Sequence, residues 1–169
     1  MNTINQPFNI KQALIDSSRS YFELLEKEIV LRSHHFINNG EYKLRFFKTI
    51  FLHLTGLRTC LSSKDFYDKC YKGTILESEY KIGPNNDRKT VKRKLKNLVN
   101  IGNIFNKEIM VQEYFVKNQI TCRIATSDGN CTIGFVDAKF YLRPKTIMAN
   151  NHLDKNRPIY TVLPLIKIY

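Results

Sequence analysis

The segment ITCRIATSDGNCTIGFV, residues 120–136, decides the fold because it places a tight turn between two apolar stretches. Ser127-Asp128-Gly129-Asn130 consists of residue types that favour a reverse turn, and Asp-Gly is a strong hairpin signal. On either side, Ile120–Thr126 and Thr132–Val136 are rich in the apolar and β-branched side chains that favour strands. The segment therefore predicts an antiparallel hairpin.

Strand patterns continue on both sides of this hairpin. Ile109–Val116 precedes it across a turn at Lys117-Asn118-Gln119, and Lys139–Leu142 follows it. Pro144 is expected to end that following strand, because proline cannot donate to a sheet ladder. Ile159–Ile168 supplies a last strand. The C-terminal part thus predicts an antiparallel sheet.

Helical patterns dominate the part of the chain that comes before the sheet. Asn9 is predicted to cap a first helix, whose apolar side chains recur with a spacing near 3.6 as far as Ile29. A second helix is expected to begin after Ser62 or Ser63 and to end at Gly73. Helices followed by antiparallel strands predict an α+β fold.

A further hairpin is predicted near the N-terminus. His35-Phe36-Ile37 and Tyr42–Phe46 flank Asn38-Asn39-Gly40-Glu41, which is a favourable turn sequence. No linker composition interrupts the chain. We therefore expect one domain over residues 1–169, with a helix and the hairpin start in residues 1–42 and a basic α+β body in residues 43–169.

The charge of the chain is unevenly distributed. The 27 Lys and Arg side chains exceed the 15 Asp and Glu side chains, for a net charge of +12. Residues 1–42 carry a net −1, residues 43–109 a net +9 and residues 110–169 a net +4. Such an excess indicates a surface that meets a polyanion. Because no apolar stretch is long enough to cross a bilayer and the first ten residues lack signal-peptide features, we expect a cytoplasmic protein without a membrane partner.

Metal and thiol chemistry are not predicted. The cysteines at positions 60, 70, 122 and 131 are too far apart for a zinc or redox motif, so we expect reduced, buried thiols that serve as packing. The carboxylates have no histidine partner at ligand spacing, which argues against a two-metal nuclease. No metal or other cofactor is expected.

The hexapeptide Phe51-Leu52-His53-Leu54-Thr55-Gly56 is the first candidate for chemistry. In an extended conformation, His53 and Thr55 would project to one side. Histidine is the side chain best suited to proton transfer near neutral pH, and RNA cleavage needs a group that deprotonates a 2′-hydroxyl. The simpler interpretation is that His53 bonds a backbone carbonyl and Thr55 caps a turn.

The second candidate is a basic segment predicted to be helical and capped by Thr90. Six cations occur between Arg88 and Lys96, with no acidic residue among them. On a helix most of them share one face and can follow a phosphate backbone. The predicted nucleic-acid-binding residues are Arg88, Lys89, Lys92, Arg93 and Lys96. Lys94 lies off this face and is a catalytic candidate. The alternative is a solvated basic helix.

The third candidate lies around Pro144, where Arg143, Lys145 and Thr146 gather two cations and a hydroxyl. Cations held at such a position can stabilise a pentacoordinate phosphorane without a metal. The alternative is a strand end whose basic side chains are simply solvated.

Taken in order, these motifs resemble a known family. They are Phe51-x-His53-Leu54-Thr55-Gly56, the segment 61–73, the helix 90–98, Ile133-Gly134-Phe135 and Tyr141-x-x-Pro144-x-Thr146-Ile147. The series resembles small phage- and mobile-element-associated proteins that are classed as nucleases of the barnase–EndoU–colicin–RelE-like fold. The similarity covers residues 10–168.

The resemblance implies N-terminal helices packed on a four- to five-stranded antiparallel sheet, with RNA cleaved on one sheet face. It also implies metal-independent transesterification that leaves a 2′,3′-cyclic phosphate. By this analogy His53 is the general acid/base, and Thr55 and Thr146 contact phosphate or ribose. Lys94, Arg143 and Lys145 would then be cationic stabilisers.

We therefore predict a toxin-type endoribonuclease of a phage or mobile element. Its expected partners are RNA, tRNA among them, and an immunity or antitoxin protein or a host defence nucleoprotein. The rival prediction is a non-catalytic basic protein that occupies RNA or inhibits a nucleic-acid-guided defence enzyme. A DNA-binding regulator fits less well, because no helix-turn-helix pair stands out.

Overall fold

The computed structural model describes residues 7–37 and 40–169 of the chain. Within these ranges four α-helices lie in the N-terminal part, and two single-turn 3-10 helices lie at Glu77–Glu79 and Ile101–Asn103. The α-helices are α1 (Ile10–Phe22), α2 (Lys48–Thr55), α3 (Ser63–Lys72) and α4 (Arg88–Leu98).

Twelve strands lie in the same described ranges. They are β1 (Lys27–Arg32), β2 (Glu41–Arg45), β3 (Leu57–Thr59), β4 (Tyr80–Ile82), β5 (Ile109–Glu113), β6 (Val116–Lys117), β7 (Ile120–Thr121), β8 (Ile124–Ser127), β9 (Cys131–Asp137), β10 (Leu142–Ala149), β11 (Tyr160–Val162) and β12 (Leu165–Ile168). Eight of them form one sheet in the order β11-β5-β8-β9-β10-β2-β1-β12, while β3–β4 and β6–β7 form separate two-stranded sheets.

The large sheet curls, because its two outermost strands are almost consecutive in the chain. β11 and β12 lie at opposite edges, yet only Leu163 and Pro164 separate them. Three Cα–Cα steps span about 11 Å at most, so the two edges must approach each other. The expectation of one strand over Ile159–Ile168 is therefore wrong, and Pro164 stands at the break.

The α+β class is confirmed, but the expected four- to five-stranded antiparallel sheet is too small. The observed sheet has eight strands, and β2 pairs with β10 in parallel through Leu44 and Leu142. The missing strands include β1, whose apolar pattern predicted a helix, and the second half of Ile159–Ile168. Strands β1 to β4 also alternate with the helices, so the N-terminal part is not purely helical.

The helices cover one face of the sheet and enclose the main core. Its largest fully buried side chains are aromatic, and Tyr21 lies among Phe46, Phe51 and Tyr67 at centroid distances of 5.3–5.9 Å. The hydroxyl of Tyr21 donates to the carbonyl of Phe47 at 2.7 Å, which satisfies the buried polar end. A smaller cluster of Phe115, Cys122, Ala125 and Leu153 lies on the other face of the sheet.

The first helix is shorter than predicted. Asn9 caps α1 as expected, with its side chain accepting from the Gln12 N–H, but the helix ends at Phe22. Glu26 has a φ of +56°, and Ile29 lies on β1. The apolar residues after Phe22 match a helical spacing only because the buried strand β1 continues the apolar pattern.

The predicted hairpin after this helix has a different first strand. β2 contains the expected alternation, with Tyr42 and Leu44 buried, but it pairs with β1 rather than with residues 35–37. Arg32 and Glu41 form the last pair before the connection. The predicted turn residues Asn38 and Asn39 lie outside the described residues.

Local capping signals decide the ends of α3 and α4. The Ser62 side chain accepts from the Asp65 N–H, and Gly73 adopts the left-handed conformation at φ +75°, so both predicted ends of α3 are confirmed. The predicted cap of α4 is wrong by three residues, because Asp87 rather than Thr90 caps it. The Thr90 N–H donates to the Asp87 carboxylate at 2.7 Å and lowers the pKa of Asp87.

The C-terminal hairpins are largely as predicted. β8 and β9 are joined across Ser127–Asn130, where the Asp128 carboxylate accepts from the N–H groups of Asn130 and Cys131. β6 and β7 turn at Asn118, and β5 pairs with β8.

The strand expected over Lys139–Leu142 is wrong in extent. β10 begins at Leu142 and continues through Pro144 to Ala149. Pro144 is tolerated because the register with β9 shifts between Pro144 and Thr146, which leaves Lys145 as an extra residue in a β-bulge.

The cysteines are free, as expected, but they are not all buried. Cys70, Cys122 and Cys131 pack in the interior, whereas Cys60 is exposed. Within the described part of the chain, no helix combines the length and the apolar character needed to cross a membrane.

Candidate active site

The candidate site lies along the edge of β10 that β2 leaves uncovered. Beyond the pair of Leu142 with Leu44, the described residues provide β10 with no further strand partner on that side. β2 ends at Arg45, and the chain turns into α2, so α2 and α4 pack against this edge instead. A sheet edge approached by helices leaves backbone groups available to side chains.

The bulge at Lys145 turns two side chains to the same side of β10. The Lys145 ammonium reaches the carbonyl of Thr121 at 3.5 Å. The Thr146 methyl group lies against Gly134, where a Cβ atom would come within 3.0 Å of it and within 2.5 Å of the Cys122 sulfur. Glycine at position 134 therefore makes room for the side chains of Cys122 and Thr146.

A cleft of about 410 Å³ opens between α4, the second half of β10 and the β6–β7 hairpin. It is lined by Arg93, Lys94, Asn97, Lys117, Asn118, Ile120, Thr146, Ile147, Met148, Ala149, Asn150 and His152. The structure thus brings together three of the residues predicted from the sequence, Arg93, Lys94 and Thr146. No carboxylate occurs among these lining residues, so the cleft has a cationic character.

Lys94 enters the cleft beside the end of α2. Gly56 closes that helix in the left-handed conformation at φ +76°, and a Cβ atom there would lie 3.3 Å from both the Lys94 Cδ and the Asn86 side chain. Lys94 is half-buried. Burial, and to a lesser extent the neighbouring Arg93 guanidinium, lower the pKa of the Lys94 ammonium.

His53 and Thr55 do not lie side by side. The condition of an extended conformation is not met, because residues 48–55 form α2, and positions two apart on a helix point in diverging directions. His53 is exposed, and its Nε2 atom lies 2.9 Å from the carbonyl oxygen of Lys145. Through this contact His53 holds the bulge, and His53 is not among the residues that line the cleft.

The hydroxyl of Thr55 forms two hydrogen bonds with backbone groups. Its Oγ1 atom donates to the Leu52 carbonyl at 2.6 Å and accepts from the Leu57 N–H at 3.1 Å. The residue is fully buried. The simpler interpretation, that Thr55 closes a turn, describes this geometry.

Arg143 and the basic face of α4 are exposed, and all of these residues except Arg93 lie outside the cleft. Arg143 is opposite Val136 on β9, and Pro144 and Lys145 separate it from Thr146. The predicted binding residues of α4 are Arg88, Lys89, Lys92, Arg93 and Lys96, and all five are exposed. None of them forms an ion pair with a carboxylate in the described part of the chain. Arg93 belongs to both surfaces, so the basic face continues into the cleft.

Two titratable residues of the cleft were not predicted from the sequence. Lys117 lies at the β6–β7 turn and His152 follows β10, and the Lys117 ammonium donates a hydrogen bond to Nδ1 of His152. The sequence indicated only a turn at Lys117, and His152 lies in a segment without periodicity. They are 35 residues apart in the chain, so no local signal connects them.

The fold and the cleft together define an α+β protein with a cationic cleft. The chain belongs to the phage-Barnase-EndoU-ColicinE5/D-RelE like nuclease4 family, whose model matches residues 14–167. This match confirms the resemblance drawn from the motifs. No curated protein and no solved structure matches the chain. Among the described residues, no group of three or more His, Cys, Asp or Glu side chains is placed to hold a metal ion.

Proposed function

We propose that this nuclease-family chain is an endoribonuclease that cuts RNA without a metal ion, in the cleft between α4 and β10. One observation carries the proposal: Lys94, half-buried and with a lowered pKa, shares a carboxylate-free cleft with the hydroxyl of Thr146. Cationic groups that have little water around them stabilise developing negative charge strongly.

The reaction that suits this cleft is transesterification. The 2′-hydroxyl of one nucleotide loses its proton and its oxygen attacks the adjacent phosphorus, while the bond from phosphorus to the 5′-oxygen breaks. The products are a 2′,3′-cyclic phosphate and a 5′-hydroxyl. Arg93 and Lys117 supply positive charge beside the phosphorane, and Lys94 donates a proton to the leaving oxygen.

The basic face of α4 gives the RNA backbone a path to this cleft. Arg93 lies at the junction, and the exposed cations before and after it meet phosphates along the strand. Arg143 and Lys145 add positive charge from β10. Transfer RNA is the first substrate to test, because it combines helical and single-stranded regions.

A second function is favoured by the positions of His53 and Thr55. Both side chains make backbone contacts outside the cleft, which fits a family member that kept the fold without catalysis. Such a protein would use the basic face of α4 to occupy RNA or a host nucleoprotein. The immunity or antitoxin partner expected from the resemblance belongs with either proposal.

The experiment incubates purified protein with total tRNA and with a structured RNA in EDTA. Lys94→Met preserves the packing against Gly56 but removes the charge, and Thr146→Val removes only the hydroxyl. Lys64→Met removes an exposed helical cation away from the cleft and serves as control. We expect cleavage by the wild type and Lys64→Met but not by Lys94→Met. Salt-sensitive RNA binding without cleavage by the wild type would instead support the binding protein.

A further inference from the structure

We propose that His152 is the residue that accepts the proton of the 2′-hydroxyl. The assignment rests on the ribonuclease activity proposed above and names the group that this activity still lacks. The residue lies in the cleft with Lys94 and Thr146, whereas His53 lies outside it.

The backbone around His152 is firmly positioned. The chain turns at the end of β10 through Asn150, which has a φ of +67° and whose N–H donates to the Asn130 carbonyl at 2.8 Å. Thr132 then joins the two sides of this turn, because its hydroxyl donates to the Asn150 carbonyl and accepts from the His152 N–H. A proton-transfer group needs such fixed placement to meet its substrate.

The ring of His152 presents a lone pair inside the cleft. The Lys117 ammonium has hydrogens only to donate, so the Nδ1 atom that it contacts carries the lone pair and the Nε2 atom carries the hydrogen. Lys117 therefore occupies the position of a hydrogen-bond donor to Nδ1. A ribose 2′-hydroxyl can take this position, and the displaced ammonium then pairs with the phosphate.

The charged groups that line the cleft with His152 are all cationic. They are Lys117 from the β6–β7 hairpin and Arg93 and Lys94 from α4. No carboxylate lines the cleft in the described part of the chain, so a substrate phosphate beside His152 would meet only cations and neutral groups.

With this assignment the proton transfers balance. The 2′-hydroxyl proton moves to Nδ1 of His152, the bond from the 2′-oxygen to phosphorus forms, and the bond from phosphorus to the 5′-oxygen breaks. The leaving 5′-oxygen takes a proton from the Lys94 ammonium. The imidazolium of His152 and the neutral amine of Lys94 return to their starting states by proton exchange with water.

The test compares His152→Gln and His152→Ala with a matched histidine control, His34→Gln, on tRNA in EDTA. His34 is exposed in the loop after β1. We expect both His152 variants to lose about 10²- to 10⁴-fold in kcat, with little change in RNA affinity or melting temperature. Imidazole in the buffer should restore part of the activity of His152→Ala, and His34→Gln should cleave like the wild type.

The outcomes separate the inference from the function on which it rests. If the wild type does not cleave RNA, the proposed function fails and the role of His152 fails with it. If the wild type and both His152 variants cleave equally, the function stands and the inference is overturned. The imidazole nitrogens of wild-type His152 provide a readout without a substitution. Their NMR resonances should shift when an uncleavable RNA analogue binds that keeps its 2′-hydroxyls and has a methylene group in place of the 5′-oxygen, and unchanged resonances would also overturn the inference.

Discussion

At Lys94 the fold buries much of a cationic side chain without giving it a carboxylate partner. None of the ion pairs in the described part of the chain includes Lys94, and the charge of Arg93 lowers its pKa further. Removing an ammonium from water costs free energy, so the protein is less stable than it would be with an apolar side chain at this position. Such a cost is common where a residue serves function rather than stability.

From the free-energy cost of burying the Lys94 ammonium we predict how Lys94→Met changes the stability of the protein. Because the pKa of Lys94 is lower in the folded chain than its ordinary 10.5, the penalty is present below the folded value. It disappears as the pH rises through 10.5, where the lysine is neutral in both states. We expect Lys94→Met to melt at a higher temperature than the wild type at pH 7, and the difference to narrow towards pH 10.5. A lower melting temperature for the variant at pH 7 would contradict this account.

The four cysteines provide a second test at the scale of the residue. Burial raises the pKa of Cys70 and of Cys131 to about 12, and Cys122 is also buried, whereas Cys60 is exposed. Since the thiolate is the reactive form, we expect one thiol per folded chain to react rapidly with a thiol reagent at pH 8. All four should react in denaturant. Rapid labelling of more than one thiol in the folded protein would show that the described packing is wrong.

At the scale of the element, two glycines end helices in the same way but have different neighbours. Gly56 ends α2 and Gly73 ends α3, with φ values of +76° and +75°. A Cβ atom on Gly56 would lie 3.3 Å from Lys94, whereas one on Gly73 would meet nothing closer than 3.8 Å. Substituting each of the two glycines therefore distinguishes the free-energy cost of a Cβ atom at positive φ from an effect on the cleft.

We expect Gly56→Ala and Gly73→Ala each to destabilise the protein by about 1–2 kcal/mol, because both place a Cβ atom in the left-handed region. Only Gly56→Ala should also lower RNA cleavage, since its methyl group displaces the Lys94 side chain. Denaturant unfolding and initial cleavage rates measure the two effects. Equal cleavage by the two variants at matched stability would remove Gly56 from the support of the cleft.

The basic face of α4 makes a prediction about salt. If Lys89, Lys92 and Lys96 bind phosphates, replacing all three by alanine should weaken binding of every RNA sequence to a similar degree. The slope of log affinity against log salt should fall by about 0.7 for each phosphate of a single strand that the variant no longer neutralises. Fluorescence anisotropy at several salt concentrations measures this slope. Weaker binding of one RNA sequence alone would contradict a role in holding the backbone.

Elements whose signals are local were predicted well. The cap at Ser62, the glycine at 73 and the turn at Ser127–Asn130 depend on side chains within a few residues of each other. The short apolar segment Ile50–Leu54 did not distinguish a helix from an extended segment, because so few residues fit either period. In the structure this segment is the helix α2, which packs against the open edge of β10. That edge exists only in the assembled sheet.

At the scale of the whole molecule, long-range pairing produces the features that the sequence did not reveal. β11 and β12 are neighbours in the chain but pair with β5 and β1 at opposite edges of the sheet. The cleft likewise joins α4, β10, Lys117 and His152, which come from separate parts of the chain. Lys94 and Thr146 were predicted as site residues by composition and resemblance, whereas only the fold shows that they share a cleft.

The assembled fold also shows where the excess positive charge of the chain lies. Six acidic side chains form ion pairs within the described part of the chain, for example Glu28 with Arg45 and Glu79 with Lys69. The cations of α4 carry no such partners among the described residues, and they continue into the cleft through Arg93. The excess charge therefore gathers where the proposed substrate would enter.

The most direct test of the central claim uses two RNA oligonucleotides that differ by one oxygen. One is all ribose, and the other carries a 2′-deoxy nucleotide on the 5′ side of the bond that the protein cuts. Both are incubated with wild-type protein in EDTA, and mass spectrometry identifies the new ends. Cleavage of the ribose strand alone, with a 2′,3′-cyclic phosphate and a 5′-hydroxyl, is the predicted result. Cleavage of that bond in both strands, or of neither strand, would contradict the account.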